Sequence, residues 1–157
     1  MKHGRTNTQL YIVWEGIKDR CLNTRDRAYP DYGGRGIDIC DEWRNSFVAF
    51  ATWAYENGYV EEKLPSGRNR LMIDRIDNDK GYHPSNCRWA TAKEQNNNRR
   101  NNHRVTINGV TKTLAEWTEY AHLKPSTLKQ RLYRGWKLED LLLPANERRN
   151  NGNSVYT

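Results

Sequence analysis

Between Arg88 and Lys112 the chain carries six basic residues, Arg88, Lys93, Arg99, Arg100, Arg104 and Lys112, against a single acid, Glu94. From Glu94 to Arg104 there is no apolar side chain. Such a stretch cannot supply the core of a domain, so it lies on a surface or links separately packed pieces. The window accounts for +5 of the net charge of +7, and the rest of the chain is nearly balanced. Its amides, Asn96, Asn97, Asn98, Asn101 and Asn102, are groups that donate to phosphate oxygens or read base edges without a desolvated charge. Composition alone suits a solvated linker and a nucleic-acid contact equally well, and the flanking motifs decide between them.

A 36% apolar content over 157 residues implies small cores, in one ordinary domain or two small ones. No run approaches the roughly 20 apolar residues of a membrane span. The longest early apolar stretch, Leu10 to Trp14, is too short for a secretion signal, so the expectation is a soluble, cytoplasmic protein without a membrane partner. Cys21, Cys40 and Cys87 are an odd set with no paired CxxC spacing, which favours free thiols over disulfides or zinc.

Periodicity outlines an α+β chain in three segments followed by a tail. In the first, residues 1–66, Leu10, Val13, Trp14, Ile17 and Cys21 form a helical stripe ending before Asn23. A glycine turn, Tyr32-Gly33-Gly34-Arg35-Gly36, leads into a short alternating strand at Ile37 and Ile39. Trp43, Phe47, Phe50 and Trp53 then give a second helix, closed by Asn57-Gly58. The glycine turn lacks the lysine of a P-loop and the spacing of a dinucleotide loop, so no nucleotide cofactor is expected.

The second segment, 67–104, reads as a strand at Leu71–Ile76, a loop at Asp77–Ser85, a strand at Cys87–Thr91, a helix at Lys93–Arg100 and a basic linker. The third, 105–145, opens with alternating residues around Asn108-Gly109, the signal of a tight hairpin. Thr113 and Glu116 form a capping box for a helix carrying Leu114, Trp117 and Ala121. Pro125 opens a second helix, Ser126 to Arg134, stopped by Gly135. The pair is a helix-turn-helix candidate that presents Ser126, Thr127, Lys129, Gln130 and Arg131 to DNA. Residues 146–157 read as a flexible tail.

The middle segment carries the chemistry. A carboxylate at a strand end facing amides on a following helix can hold one hard divalent cation through oxygen ligands, with positions left for water and phosphate. Asp74-Arg75-Ile76-Asp77-Asn78 and Asn86-Cys87-Arg88-Trp89-Ala90-Thr91, followed by Glu94-Gln95-Asn96-Asn97-Asn98, resemble the HNH, or ββα-metal, endonucleases, in particular the small phage-encoded homing enzymes. The hairpin with Thr113-Leu114-Ala115-Glu116-Trp117 and Arg134-Gly135-Trp136 resembles the DNA-binding tail found with them, and the likeness covers about residues 30–140.

The resemblance implies a central ββα-metal unit, hydrolysis of phosphodiester bonds in double-stranded DNA with Mg²⁺ or Mn²⁺, and residence in an infected bacterial host. Nothing in it selects monomer over homodimer. Asp74, Asp77, Gln95 and Asn98 are its candidate metal ligands, and Asp74, Arg75, His83 and Asn86 its candidate catalytic residues. Arg35, Arg88, Lys93, Arg99, Arg100 and Arg104 are the expected backbone contacts, beside the five residues of the tail helix. The family's base histidine falls at Arg75, which cannot act as a base at neutral pH because its pKa stays above about 12. Either His83 or, more weakly, Tyr82 takes the proton, or the unit binds DNA without cutting it.

Overall fold

The computed structural model describes residues 8–145. In chain order these form α1 (Gln9–Leu22), α2 (Asp41–Asn45), α3 (Phe47–Glu56), β1 (Met72–Arg75), β2 (Cys87–Ala90) and α4 (Ala92–Asn97). There follow β3 (Arg104–Ile107), β4 (Val110–Thr113), α5 (Leu114–Tyr120) and α6 (Pro125–Tyr133). Helices and two separate antiparallel ribbons make the architecture α+β, and the chain divides between Arg99 and Arg100 into two compact units. Among the described residues no helix is long and apolar enough to cross a membrane. The tail expected at 146–157 lies outside them.

In the first unit α1 starts at Thr8, whose hydroxyl accepts from the Tyr11 backbone N–H at 3.3 Å. Its stripe of Leu10, Trp14, Ile17 and Cys21 is buried, as the spacing requires. The Trp14 indole donates to the Trp43 carbonyl at 2.6 Å and so ties α1 to α2. Trp43 is fully buried, with the rings of Trp53 at 4.5 Å and Phe50 at 5.2 Å. β1 and β2 pair Ile73 with Trp89 and Asp74 with Arg88. Trp89 carries this ribbon onto the aromatic cluster, 4.6 Å from Tyr59 and 6.1 Å from Trp53. The segments expected at 1–66 and 67–104 therefore share one core.

The glycine turn is structural. A Cβ on Gly33 would lie 2.1 Å from the Cys21 carbonyl oxygen and 2.4 Å from the Tyr29 ring, so only glycine lets the turn close on α1.

Three expected elements differ. The helix read from Trp43 to Trp53 is broken at Ser46, which caps α3 by accepting from the Ala49 N–H at 3.2 Å. The apolar spacing continues across the break and conceals it. The strand at Ile37 and Ile39 reduces to one bridge between Ile39 and Tyr82, because Gly36 turns the backbone at φ +83° immediately before it. The helix expected at Lys93–Arg100 runs from Ala92 to Asn97, opened by a capping box of Thr91 and Glu94.

The second unit follows its sequence closely. Asn108 and Gly109 both adopt positive φ, 50° and 77°, which matches the turn to the twist of the β3–β4 hairpin. Thr113 and Glu116 form the expected capping box of α5. The core is small: Ile107, Trp117, Leu128 and Leu141, with the Trp117 indole donating to the Val105 carbonyl at 2.8 Å. Leu141 is fully buried although the sequence gives its segment no periodic pattern. Replacing it with alanine removes a core side chain at an expected cost of about 2–5 kcal/mol. Amide exchange should accelerate in α5 and α6 and stay unchanged in α1 and α3; unchanged protection in α6 would mean that the segment after Gly135 is not part of this core.

Candidate functional site

Asp74 and Arg75 end β1, and both are buried, at 6% and 7% exposure. Their partners differ in kind. Asp74 Oδ2 accepts from Arg88 Nε at 3.1 Å and Nη2 at 3.0 Å, a pairing fixed by the register that sets these residues opposite each other. The Asn98 side-chain N–H reaches the same oxygen at 3.2 Å and also donates to the Arg75 carbonyl at 2.6 Å. Gln95 donates in the same way to the Ile73 carbonyl at 3.3 Å. Asn78 in turn donates to the Asn98 carbonyl, binding the loop to the end of α4.

Among the described residues Arg75 has no ion-pair partner. Its Nη1 donates to the Lys80 carbonyl at 2.7 Å, and its guanidinium carbon lies 5.2 Å from the ring centres of both Tyr32 and Tyr82. Arg20, from the last turn of α1, stands over the same two rings at 5.1 and 5.6 Å. The rings stack on each other at 6.4 Å, 18° from parallel. Two guanidinium groups and two phenols thus form one cation–π cluster. Beside it is a cavity of about 280 Å³, lined by Arg20, Arg75, Arg99, Asp74, Asn78 and Gln95 together with Tyr32, Ile73 and Tyr82. Of the charged groups on this wall three are arginines, and the one carboxylate already has Arg88.

The expected catalytic set separates here. Asn86 is buried and holds the loop: its side-chain oxygen accepts from the Asp77 N–H at 2.9 Å, and its N–H donates to the carbonyls of Asp77 at 3.1 Å and Gly81 at 2.9 Å. These bonds to Asp77 and Gly81 make it the staple of the loop. His83 is bonded to the Ser85 hydroxyl at 3.0 Å and does not line the cavity. Tyr82 does line it, but burial raises its phenol well above the ordinary tyrosine value, which keeps it protonated at neutral pH.

The expected metal set is engaged with neighbouring groups of the chain. Asp74 receives nitrogen donors from Arg88 and Asn98, and both Asn98 and Gln95 turn their N–H groups inward. Asp77 is spent on its own loop: the Asp79 N–H and the Lys80 ammonium hold its carboxyl below the usual value. Among the described residues no group of three or more His, Cys, Asp or Glu side chains is placed to hold a metal. The cysteines offer no thiolate, since burial pushes Cys21 up to about 11 and Cys87 up to about 12.

The expected backbone contacts are likewise sorted by their partners. Arg99 lines the cavity, Arg88 is committed to Asp74, and Arg35 is paired with Asp79 at 2.7 Å. Lys93, Arg100 and Arg104 are exposed. On α6, Ser126, Lys129 and Gln130 are exposed and Thr127 is half-buried. Arg131 is a correction: it is 4% exposed, and its guanidinium donates to the carbonyls of Leu141, Leu143 and Pro144. It fastens the end of the second unit and is withdrawn from any reading surface, because helical spacing sets it beside Leu128 on the buried face. Arg20 and Tyr32, in contrast, belong to the site and were not singled out; the one available signal was a basic residue between the buried Ile17 and Cys21.

Compared with protein-family models, with curated proteins and with solved structures, the chain matches none.

Two substitutions test the division of labour in the loop. Asn86→Ala removes a buried hub of three hydrogen bonds and should cost about 2–4 kcal/mol in denaturant unfolding. His83→Ala should change stability by no more than about 0.5 kcal/mol. Comparable losses in both would reject Asn86 as the staple.

Proposed function

We propose that this chain binds double-stranded DNA through an HNH-like ββα unit that grips the phosphate backbone, with the second unit adding contacts from α6. One observation carries the reading: among the described residues Arg75 is a buried cation without a carboxylate partner, on a cavity wall it shares with Arg20 and Arg99. A buried charge needs compensation, and cation–π contacts with two phenols supply only part of it. A phosphate oxygen accepts from guanidinium groups in bidentate fashion and supplies the missing anion. The first unit also carries the exposed Lys93, and the second carries the exposed Arg100 and Arg104, each a cation of the kind that contacts a phosphate backbone.

The chemistry that this geometry supports is retention of a phosphodiester. A guanidinium stabilises phosphate charge, donates hydrogen bonds and never withdraws a proton from water. The Asp74–Arg88 pair fixes the floor of the cavity and offers no free carboxylate to repel the ligand. Metal-dependent cleavage, the activity of the HNH family that the sequence resembles, is the second reading. It is favoured by the meeting of the Asp74 carboxylate with the amide of Asn98, the residue that caps the end of α4, at 3.2 Å, the pair of groups that the family pattern uses.

Fluorescence anisotropy on labelled duplex DNA, with plasmid nicking in Mg²⁺ and Mn²⁺, separates the two readings. Retention predicts binding whose log K falls steeply with log salt, at least a tenfold loss in Arg99→Ala, and no nicking. Arg75→Lys keeps the charge but loses the planar fork, and should weaken binding by about tenfold while the far-ultraviolet circular dichroism is retained. Nicking that Asp74→Ala abolishes would replace retention by hydrolysis. Duplex affinity that does not respond to salt would end both.

A further inference from the structure

A second cavity, of about 670 Å³, also borders α4 in the same unit. It is lined by Lys63, Arg68 and Arg99, by the amides of Asn69 and Gln95, and by an apolar floor of Leu64 and Met72. Gln95 and Arg99 line this cavity and the arginine pocket alike, so α4 is the ridge between them. The far wall is a small ribbon spanning residues 62–70. It is closed by the Lys63–Asn69 bridge, by the Leu64 N–H donating to the Arg68 carbonyl at 2.8 Å, and by a turn at Gly67 with φ +77°.

The charge of the ribbon is arranged to one end. Its acid, Glu62, is taken by Arg70 in a two-pronged pair at 2.8 and 2.9 Å, which leaves Lys63 and Arg68 exposed and without an ion pair among the described residues. Among the described residues no carboxylate lines the cavity. Lys63, Arg68 and Arg99 therefore surround a groove with an uncompensated positive potential, next to the pocket that already holds Arg20 and Arg75.

Resting on the DNA-binding reading above, we infer that this groove is a second seat for the sugar–phosphate backbone, so that one strand of a duplex crosses α4 with phosphates on both of its sides. Lys63 and Arg68 contact phosphate oxygens, and Gln95 and Asn69 lie against the backbone between them. Duplex is chosen over single-stranded nucleic acid on the composition of the wall. Sequence-independent single-strand binding uses aromatic faces on which bases stack. No aromatic residue lines the groove, and the two tyrosines of the neighbouring pocket are covered by each other and by Arg20 and Arg75.

The full chain and its Lys63→Ala/Arg68→Ala variant are titrated with a labelled duplex and with the corresponding single strand at several salt concentrations. Arg25→Ala/Arg27→Ala serves as a control that removes the same charge from exposed positions lining neither cavity. The expected result is about a tenfold loss of duplex affinity and a fall of about 2 in the salt slope for the groove variant alone. An equal loss in the control, or no loss in the groove variant while Arg99→Ala still weakens binding, overturns the groove and leaves the DNA-binding reading standing. Wild-type affinity for the single strand that exceeds that for duplex and depends on Lys63 and Arg68 overturns the choice of duplex. Failure of the wild-type chain to bind either nucleic acid removes the reading on which the groove rests.

Discussion

Asp74 and Arg75 are sequence neighbours with opposite charges, yet they do not neutralise each other. On a strand, successive side chains leave on opposite faces, so each must be satisfied by a different part of the unit. Asp74 takes its cation from the facing strand, through the register that sets it against Arg88. Arg75 takes two aromatic rings, one from the glycine turn after α1 and one from the loop before β2. A buried charge left without partners costs several kcal/mol, a sum comparable to the whole stability of a small domain. The ribbon, the loop and the turn are therefore coupled. Moving any of them strands a charge.

The same coupling explains how so polar a sequence keeps a core. With 36% apolar residues the chain cannot fill a large interior, and the first unit concentrates its burial in tryptophans and other rings that each remove a large area from water. Trp43 sits at the centre, Trp14 locks α1 through its indole N–H, and Trp89 carries the β1–β2 ribbon onto the cluster. The four-residue strands supply few backbone hydrogen bonds of their own. Their position depends on Trp89 at one end and on the Asp74–Arg88 pair beside it, so the core and the candidate site are held by the same four residues of β2.

What the sequence disclosed follows from how local each signal is. The α1 stripe, the Asn108-Gly109 turn and the Thr113/Glu116 capping box are decided within a few residues, and each forms where its pattern lies. Ser46 was concealed because it caps a helix whose apolar spacing runs on unbroken through the preceding one. The arginine cluster was invisible for a different reason. Arg20, Arg75 and Arg99 come from a helix end, a strand end and the second residue past α4; Arg99 shows in the basic window, but Arg20 and Arg75 each follow an aspartate that offsets them along the chain. The window from Arg88 to Lys112 was legible because its charges are contiguous; the groove at Lys63 and Arg68 was not, because Glu61 and Glu62 precede them. Arg131 shows the reverse error, where a basic residue in a helix-turn-helix pattern is drawn to carbonyls of its own chain.

On the proposed reading, position 75 separates phosphate retention from cleavage. A histidine there would change its charge near pH 6.5 and exchange protons with water, whereas an arginine keeps its charge across the whole range in which the fold exists. The surroundings are built for the second case. Around Arg75 stand the stacked rings of Tyr32 and Tyr82, the Lys80 carbonyl and the guanidinium of Arg20, and burial raises the Tyr82 phenol above its ordinary value. A proton-transfer site needs a group poised between two states. This one is held in a single state by every contact it makes, which suits a partner whose own charge is also permanent, as the phosphodiester backbone is.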